Sequence, residues 1–462
     1  MCCLLRRFPG LSFNVISNLN CLSKPFNTII MKTIGNILKA ILPLLFFTSG
    51  VLYAQVPSLQ YWRPNDKRGL NVFEPSKSDT TSFQGMKIRI GGDFAMQFQS
   101  LNQSNDLDNL VELGSDFNLP TANLNVDVQL LDGVRMHLRS YLSSRNHNDF
   151  YIKGGYLRMD KLDFVKPGFL EGVMKFTSIT IGYDEFNYGD THFRRSDNAR
   201  AIFNPFNENY IMDAFSTEPF GEVTVQNKGF LAIVGVTNGK LNQNVRVNDQ
   251  SDNKPSFYGK LGYDKQINDD LRVRLTGSWY INKGETTGTW LYGGDRTGSR
   301  YYYVTYTQPD ANGNVQGGNF DGRYNARFTK ITALQINPFI KFKGLELFGV
   351  IERASGSNEF TTPQPDKEGA FTQLAGDIIY RFGQNEKFYV AARYNTISGK
   401  QLESATDNLE ISRLNFAGGW YLSKNILTKV EYLKQSYDGK GWTGRFAGAE
   451  FSGVMVEAVI SF

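Results

Sequence analysis

Cysteine is nearly missing: a chain of 462 residues has 3, at positions 2, 3 and 21, and none beyond. Whatever the rest folds into is held without disulfides, which excludes small stapled scaffolds. Histidine is as scarce, with His137, His147 and His192 well apart in sequence. That is thin material for a zinc site, which takes three or four protein ligands, or for a histidine-dependent triad. Asp190-Thr-His192 is the only approach to a metal pair, and no catalytic or cofactor-binding set emerges. Asp310-Ala-Asn-Gly-Asn314 starts like a calcium loop but lacks the glycine at the sixth position and the acid at the twelfth, so it reads as a turn. After residue 54 no apolar run reaches the about 20 residues of a membrane helix, and no stretch has the period of a long amphipathic helix.

The front of the chain is different. From Met31 a short basic region with Lys32 and Lys39 precedes an apolar run over Ala40 to Phe47 and the stretch Thr48-Ser-Gly-Val-Leu-Tyr-Ala54. That is the layout of a cleaved secretory signal peptide over 31–54, and residues 1–30 in front of it are expected to be an over-extended start. Removing 1–54 takes away Arg6, Arg7, Lys24, Lys32 and Lys39 and no acid, so the formal charge falls from +5 to 0. The basic balance therefore belongs to the leader and gives no support to nucleic-acid binding, which needs a clustered basic face.

What remains is rich in aromatics and alternates. Residues 55–85, with Pro57, Pro64 and Pro75 and the group Tyr61-Trp-Arg-Pro64, are expected to be a periplasmic lead-in with room to tuck into a barrel mouth. From Met86 a period of two sets in: Lys87, Arg89, Asp93, Gln97 and Gln99 share one face, Ile88, Ile90, Phe94, Met96 and Phe98 the other. Fifteen further segments repeat the pattern. Short links such as Asp132-Gly133, Lys343-Gly344 and Ser423-Lys-Asn425 alternate with long polar ones, and the chain ends on the alternating Gly453–Phe462. The expectation is an all-β chain, a transmembrane antiparallel barrel over 86–462. Sixteen strands fit best and eighteen is the alternative, with Arg300–Tyr306 as a candidate extra strand. Ile88, Phe94, Leu138, Trp279, Phe416 and Trp420 should point outward, and Arg89, Arg135, Arg272 and Arg413 inward.

A barrel of about 16 strands encloses a channel too wide for its own side chains to fill. The charged span Asn187–Tyr210, between the fifth and sixth strands, is the candidate restriction: Arg194, Arg195 and Arg200 beside Asp190, Asp197 and Glu208. The inner faces add Lys87, Arg89, Arg135, Arg139, Lys260, Arg272, Arg274, Arg381, Arg393, Arg413 and Lys429 against Asp93, Asp127, Asp184, Asp264, Asp377, Glu431 and Glu457. Basic groups outnumber acidic ones, and rings of Arg or Lys favour anions.

Leader, sixteen alternating strands, charged third outer loop and terminal Phe462 together resemble a Gram-negative outer-membrane porin of the general or phosphate- and anion-preferring type. The resemblance implies a loop that folds inward after the fifth strand, a homotrimer, and residence in the outer membrane among lipids and lipopolysaccharide. It implies recognition of the last strand by barrel-assembly machinery, and passive diffusion of small hydrophilic or anionic solutes with no enzymatic activity and no cofactor. Three arginines and no lysine in the loop depart from a phosphate-specific pattern. The competing reading is a non-conducting structural or adhesive barrel that presents Gly284–Tyr324 and the other outer loops to a partner. A transporter for apolar compounds would want an apolar inner wall and an N-terminal plug, and the charged inner face argues against it.

Overall fold

The computed structural model describes residues 57–142, 150–196, 200–239, 254–284, 291–293, 301–318, 322–357 and 368–462. The leader and Asp197 lie outside the described residues. Alternation of greasy and wet side chains has one closed solution, in which every strand hydrogen-bonds to two neighbours and no edge is left. The strands are β1 (Lys87–Ser104), β2 (Asp116–Leu131), β3 (Val134–Leu142), β4 (Tyr151–Met159), β5 (Thr177–Glu185), β6 (Thr217–Asn227), β7 (Phe230–Thr237) and β8 (Ser256–Gln266). They continue as β9 (Leu271–Asn282), β10 (Lys330–Phe342), β11 (Leu345–Ser357), β12 (Gly369–Phe382), β13 (Phe388–Lys400), β14 (Leu409–Ser423), β15 (Ile426–Asp438) and β16 (Glu450–Ser461). Each pairs antiparallel with its sequence neighbours, and β1 closes the barrel on β16.

The count is sixteen, with β1 and β16 in register from Asp93 opposite Ser461 to Ser104 opposite Glu450. Phe462 extends the seam by exchanging backbone hydrogen bonds with Gly92. The tyrosine-rich stretch before residue 306 is not a strand: Tyr301 and Val304 are buried inside the lumen, and Gln99 on β1 bonds the backbone of Tyr302 in both directions.

The period-two pattern sorts the faces. Ile88, Phe94, Phe416 and Trp420 stand exposed on the outside, while Arg89, Arg135 and Arg413 on neighbouring positions are buried inside. Leu138 and Trp279 are half-buried on the outer set, and Arg272 is half-buried on the inner. An outward band of exposed Ile, Leu, Val and Phe on a barrel of this kind is what hydrocarbon would cover. On the inside, glycines make room for rings across the ladder. Gly419 faces Tyr389, and a Cβ there would lie 2.1 Å from the ring. Gly235 accommodates Tyr258 in the same way, and on the outer face Gly259 makes room for Trp279.

Connections are short at one end. Asp132-Gly133, Lys228-Gly229, Lys343-Gly344 and Lys424-Asn425 join strands there, with Gly133 at φ 70. The exception is 160–176 between β4 and β5, which holds the short helix Glu171–Met174.

Candidate functional site

Besides the buried stretch between β9 and β10, which holds Leu291, Tyr301 and Val304, two segments leave the wall and enter the lumen. The first is the loop from Phe186 to Ser216, of which 201–216 is buried throughout. A loop inside a barrel carries peptide groups that need partners, and the wall from β8 to β15 supplies them. Arg393 Nη1 donates to Glu208 O at 3.1 Å, and Arg413 Nη1 to Asn209 O at 2.8 Å. Lys429 Nζ donates to the carbonyls of Ala201, Asn204 and Phe206. In return Asn395 and Gln373 accept from the backbone N–H of Ile211 and Met212.

Asp190 ties the start of the loop down. Its carboxylate accepts from Lys260 Nζ at 2.9 Å, from Arg274 Nε and Nη2 at 2.8 Å each, and from Thr276 Oγ1 at 2.8 Å. Burial opposes its charge, but Arg274 and Lys260 outweigh burial and hold the carboxyl far below the usual range. Asp190 is thus a ligand for the wall and has no free charge to set against the loop arginines.

Those arginines divide. Arg195 is buried between Glu185, at 2.8 Å, and Asp213. Arg194 lies over the Phe348 ring at 4.7 Å, with Glu346 at 3.9 Å. Only Arg200, paired with Glu185 at 3.1 Å, borders open space. Among the described residues these arginines pair with Glu185 at the end of β5, with Asp213 farther along the loop and with Glu346 on β11; Asp197 lies outside the described residues. Glu208 is buried, and its carbonyl serves Arg393.

The second occupant is residues 57–84, a strap across the short-turn end. Gln60 bonds Gln129 and Asp132, and Asn65 bonds Asp93 at 2.8 Å. On the far side Asn71 bonds Glu346 at 2.6 Å, and Glu74 pairs with Arg274 at 2.8 Å and Lys260 at 3.3 Å. Lys77 pairs with Asp160 at 3.3 Å. Burial again opposes the charge of Glu74, but Arg274 and Lys260 hold it down to about 2. No periodicity marks this segment in sequence, and its partners lie up to 397 positions away. The tyrosine and tryptophan of Tyr61-Trp-Arg-Pro64 were its one visible signal.

Between strap, loop and the wall from β1 to β6 lies a cavity of about 180 Å³. Arg63, Arg89, Arg135, Arg139, Arg158 and Arg200 line it, against Glu74, Glu185 and Glu222. Asp127, Asp160 and Asp184 are buried behind the arginines, 3.3 Å from Arg89, 3.4 Å from Arg158 and 3.3 Å from Arg139. Trp62 lies between Arg89 and Arg135, with their guanidinium carbons 4.8 and 5.4 Å from its ring. Arg89 Nε, Arg135 Nε, Arg139 Nε and His137 Nε2 make no hydrogen bond among the described residues. Arg63 bonds two carbonyls, Gly69 O and Phe193 O, and has no carboxylate within 4 Å among the described residues.

The basic side chains expected to line a pore thus differ in what they do. Arg89, Arg135 and Arg139 face the cavity. Arg274, Arg393 and Arg413 hold the loop, Arg272 pairs with Asp264 at 2.7 Å, and Lys87 sits at the short-turn rim beside Gln84. His192 donates to or accepts from Asn187, and among the described residues no three His, Cys, Asp or Glu side chains come together as a metal site.

Neither a family model nor a curated protein matches this chain in sequence. Solved structures do match in shape. The outer-membrane channel DcaP of Acinetobacter baumannii is 11% identical over 83% of this chain and 99% of its own, with a TM-score of 0.50. OmpT of Vibrio cholerae in its trimer form is 9% identical over 82% and 100%, with 0.48. An anion-selective porin from Comamonas acidovorans is 12% identical over 82% and 100%, with 0.45. At such identities the likeness is one of fold: the chain has the barrel architecture of an outer-membrane channel.

Proposed function

We propose that this protein is an outer-membrane porin that passes small hydrophilic solutes with a modest preference for anions. The observation that carries the reading is the cavity beside the loop, which six arginines line against three glutamates. In a narrow space with low-dielectric walls the field of such groups is focused. The aspartates behind the arginines cancel part of it at longer range, so the preference is modest. At ~0.15 M salt a Debye length of ~8 Å limits it further.

On this reading Arg200 of the loop and Arg89, Arg135 and Arg139 of the wall select, while Asp190, Arg274, Arg393 and Arg413 position the loop. Arg195 and Glu208 act in the packing of the loop, and Arg194 packs it against β11. The chain does no chemistry on its solute. A homotrimer in the outer membrane, exported with loss of residues 1–54, completes the proposal. The filled lumen also favours a second reading, a non-conducting barrel that presents its outer loops. Replacing Arg89, Arg135 and Arg139 together by Ser separates the two in liposome-swelling assays: uptake of small anionic solutes should fall relative to neutral ones of equal size. Vesicles that swell no faster than protein-free controls would favour the non-conducting barrel.

A further inference from the structure

The geometry points to residues 57–84 as a second selectivity element, a constriction at the short-turn end that shapes the solute path jointly with the loop. This rests on the conducting-porin reading. A segment that merely led into the first strand would have no reason to cross the barrel. This one runs from Gln129 and Asp93 on β2 and β1 to Glu346 and Arg274 on β11 and β9, on the opposite side of a sixteen-strand ring.

Strap and loop interlock. Arg274 holds Asp190 of the loop and Glu74 of the strap with one guanidinium, and Lys260 Nζ lies 2.9 Å from the first and 3.3 Å from the second. Arg63 of the strap donates to Phe193 O in the loop at 3.1 Å and covers the Phe203 ring at 3.9 Å. Trp62, Arg63 and Glu74 then form one wall of the arginine-lined cavity. Below it a space of about 620 Å³, bordered by Glu74, Lys77, Arg272 and Arg274, lies at the short-turn end. Glu74 borders both spaces, so a solute leaving the cavity this way passes the strap. Arg63 is the cavity cation without a carboxylate partner among the described residues. Burial, then Arg200 and Arg194, work against its charge, and a counter-ion in the cavity relieves that. The strap therefore adds a cation to the path as well as narrowing it.

The test is single-channel recording of the full chain, of an internal deletion of 58–82, of Trp62→Ala with Arg63→Ser, and of Arg200→Ser. The deletion should raise conductance at least twofold and lower the anion-to-cation permeability ratio. The double substitution touches no strand pairing, and should lower the ratio even if the deleted chain fails to assemble. Deletion and double substitution with unchanged conductance and ratio, while Arg200→Ser shifts the ratio, would overturn the strap's role and leave the porin reading standing. Silence of every variant and of the unmodified protein would overturn the porin reading, and the strap's role with it.

Discussion

Replacing Asp190 by asparagine should free the loop from the wall while the barrel stays closed. Asparagine keeps the shape but not the charge, and leaves Glu74 against both Arg274 and Lys260, with Asp264 still 3.0 Å from Arg274. Removing one partner from a buried ion pair costs about 3–5 kcal/mol. Because Glu74 remains, the low end, about 3 kcal/mol, is the appropriate figure. Asp190 takes no part in the strand ladder, so this cost weighs on the docked state of the loop and not on β-pairing. At about 1.4 kcal/mol per tenfold, the ratio of docked to released loop should fall about a hundredfold. Trypsin reports on that ratio directly, since Arg194, Arg195 and Arg200 are cleavage sites in the loop and Arg194 and Arg195 are buried when it is docked. Cleavage there should quicken about a hundredfold in Asp190→Asn, with the barrel core left intact and channel recordings noisier. Cleavage at the unmodified rate would refute the anchoring role of the Asp190 cluster.

Three further outcomes follow from the same geometry. Glu74 is held at about 2 against an ordinary 4.5, so its contribution to strap docking is complete above about 4.5 and is lost as pH falls toward about 2, worth about 3 kcal/mol; conductance should be steady from pH 7 to 5 and change below 4, and a flat profile down to pH 2.5 would contradict it. Phe416→Arg on the outer face of β14 should destabilise the barrel by about 2–4 kcal/mol in urea titrations in lipid, as expected near a bilayer midplane; a loss under 1 kcal/mol would place that position away from hydrocarbon. Gly419→Ala puts a methyl against the Tyr389 ring, whose hydroxyl donates to Pro205 O at 2.9 Å, and should cost about 1–3 kcal/mol while loosening the loop; trypsin sensitivity equal to that of the unmodified chain would count against it.

The barrel was legible because its code is local. Ile88 against Arg89, or Phe416 against Arg413, declares a face through period two alone, and Asp132-Gly133 declares a turn by the φ it needs. The site was legible in part. The span after the fifth strand was too charged and too aromatic for a plain turn, and it does enter the lumen. Its internal electrostatics were not readable, because Asp190 finds Lys260 and Arg274 across 70 and 84 positions of sequence. The work of Arg393, Arg413 and Lys429 was hidden for a different reason: they bond backbone carbonyls, and every residue has one. The strap left almost no trace, since a segment stabilised by scattered contacts to strands and turns on both sides of the barrel needs no period of its own.

The central claim is that solutes cross this barrel past arginines, and a zero-current potential tests it most directly. Purified protein in a planar bilayer under a tenfold potassium chloride gradient should show discrete channel events and a potential whose sign is set by chloride. The magnitude should shrink as both salt concentrations are raised together. A potential with the sign set by potassium, or a bilayer without channel events, would contradict the account.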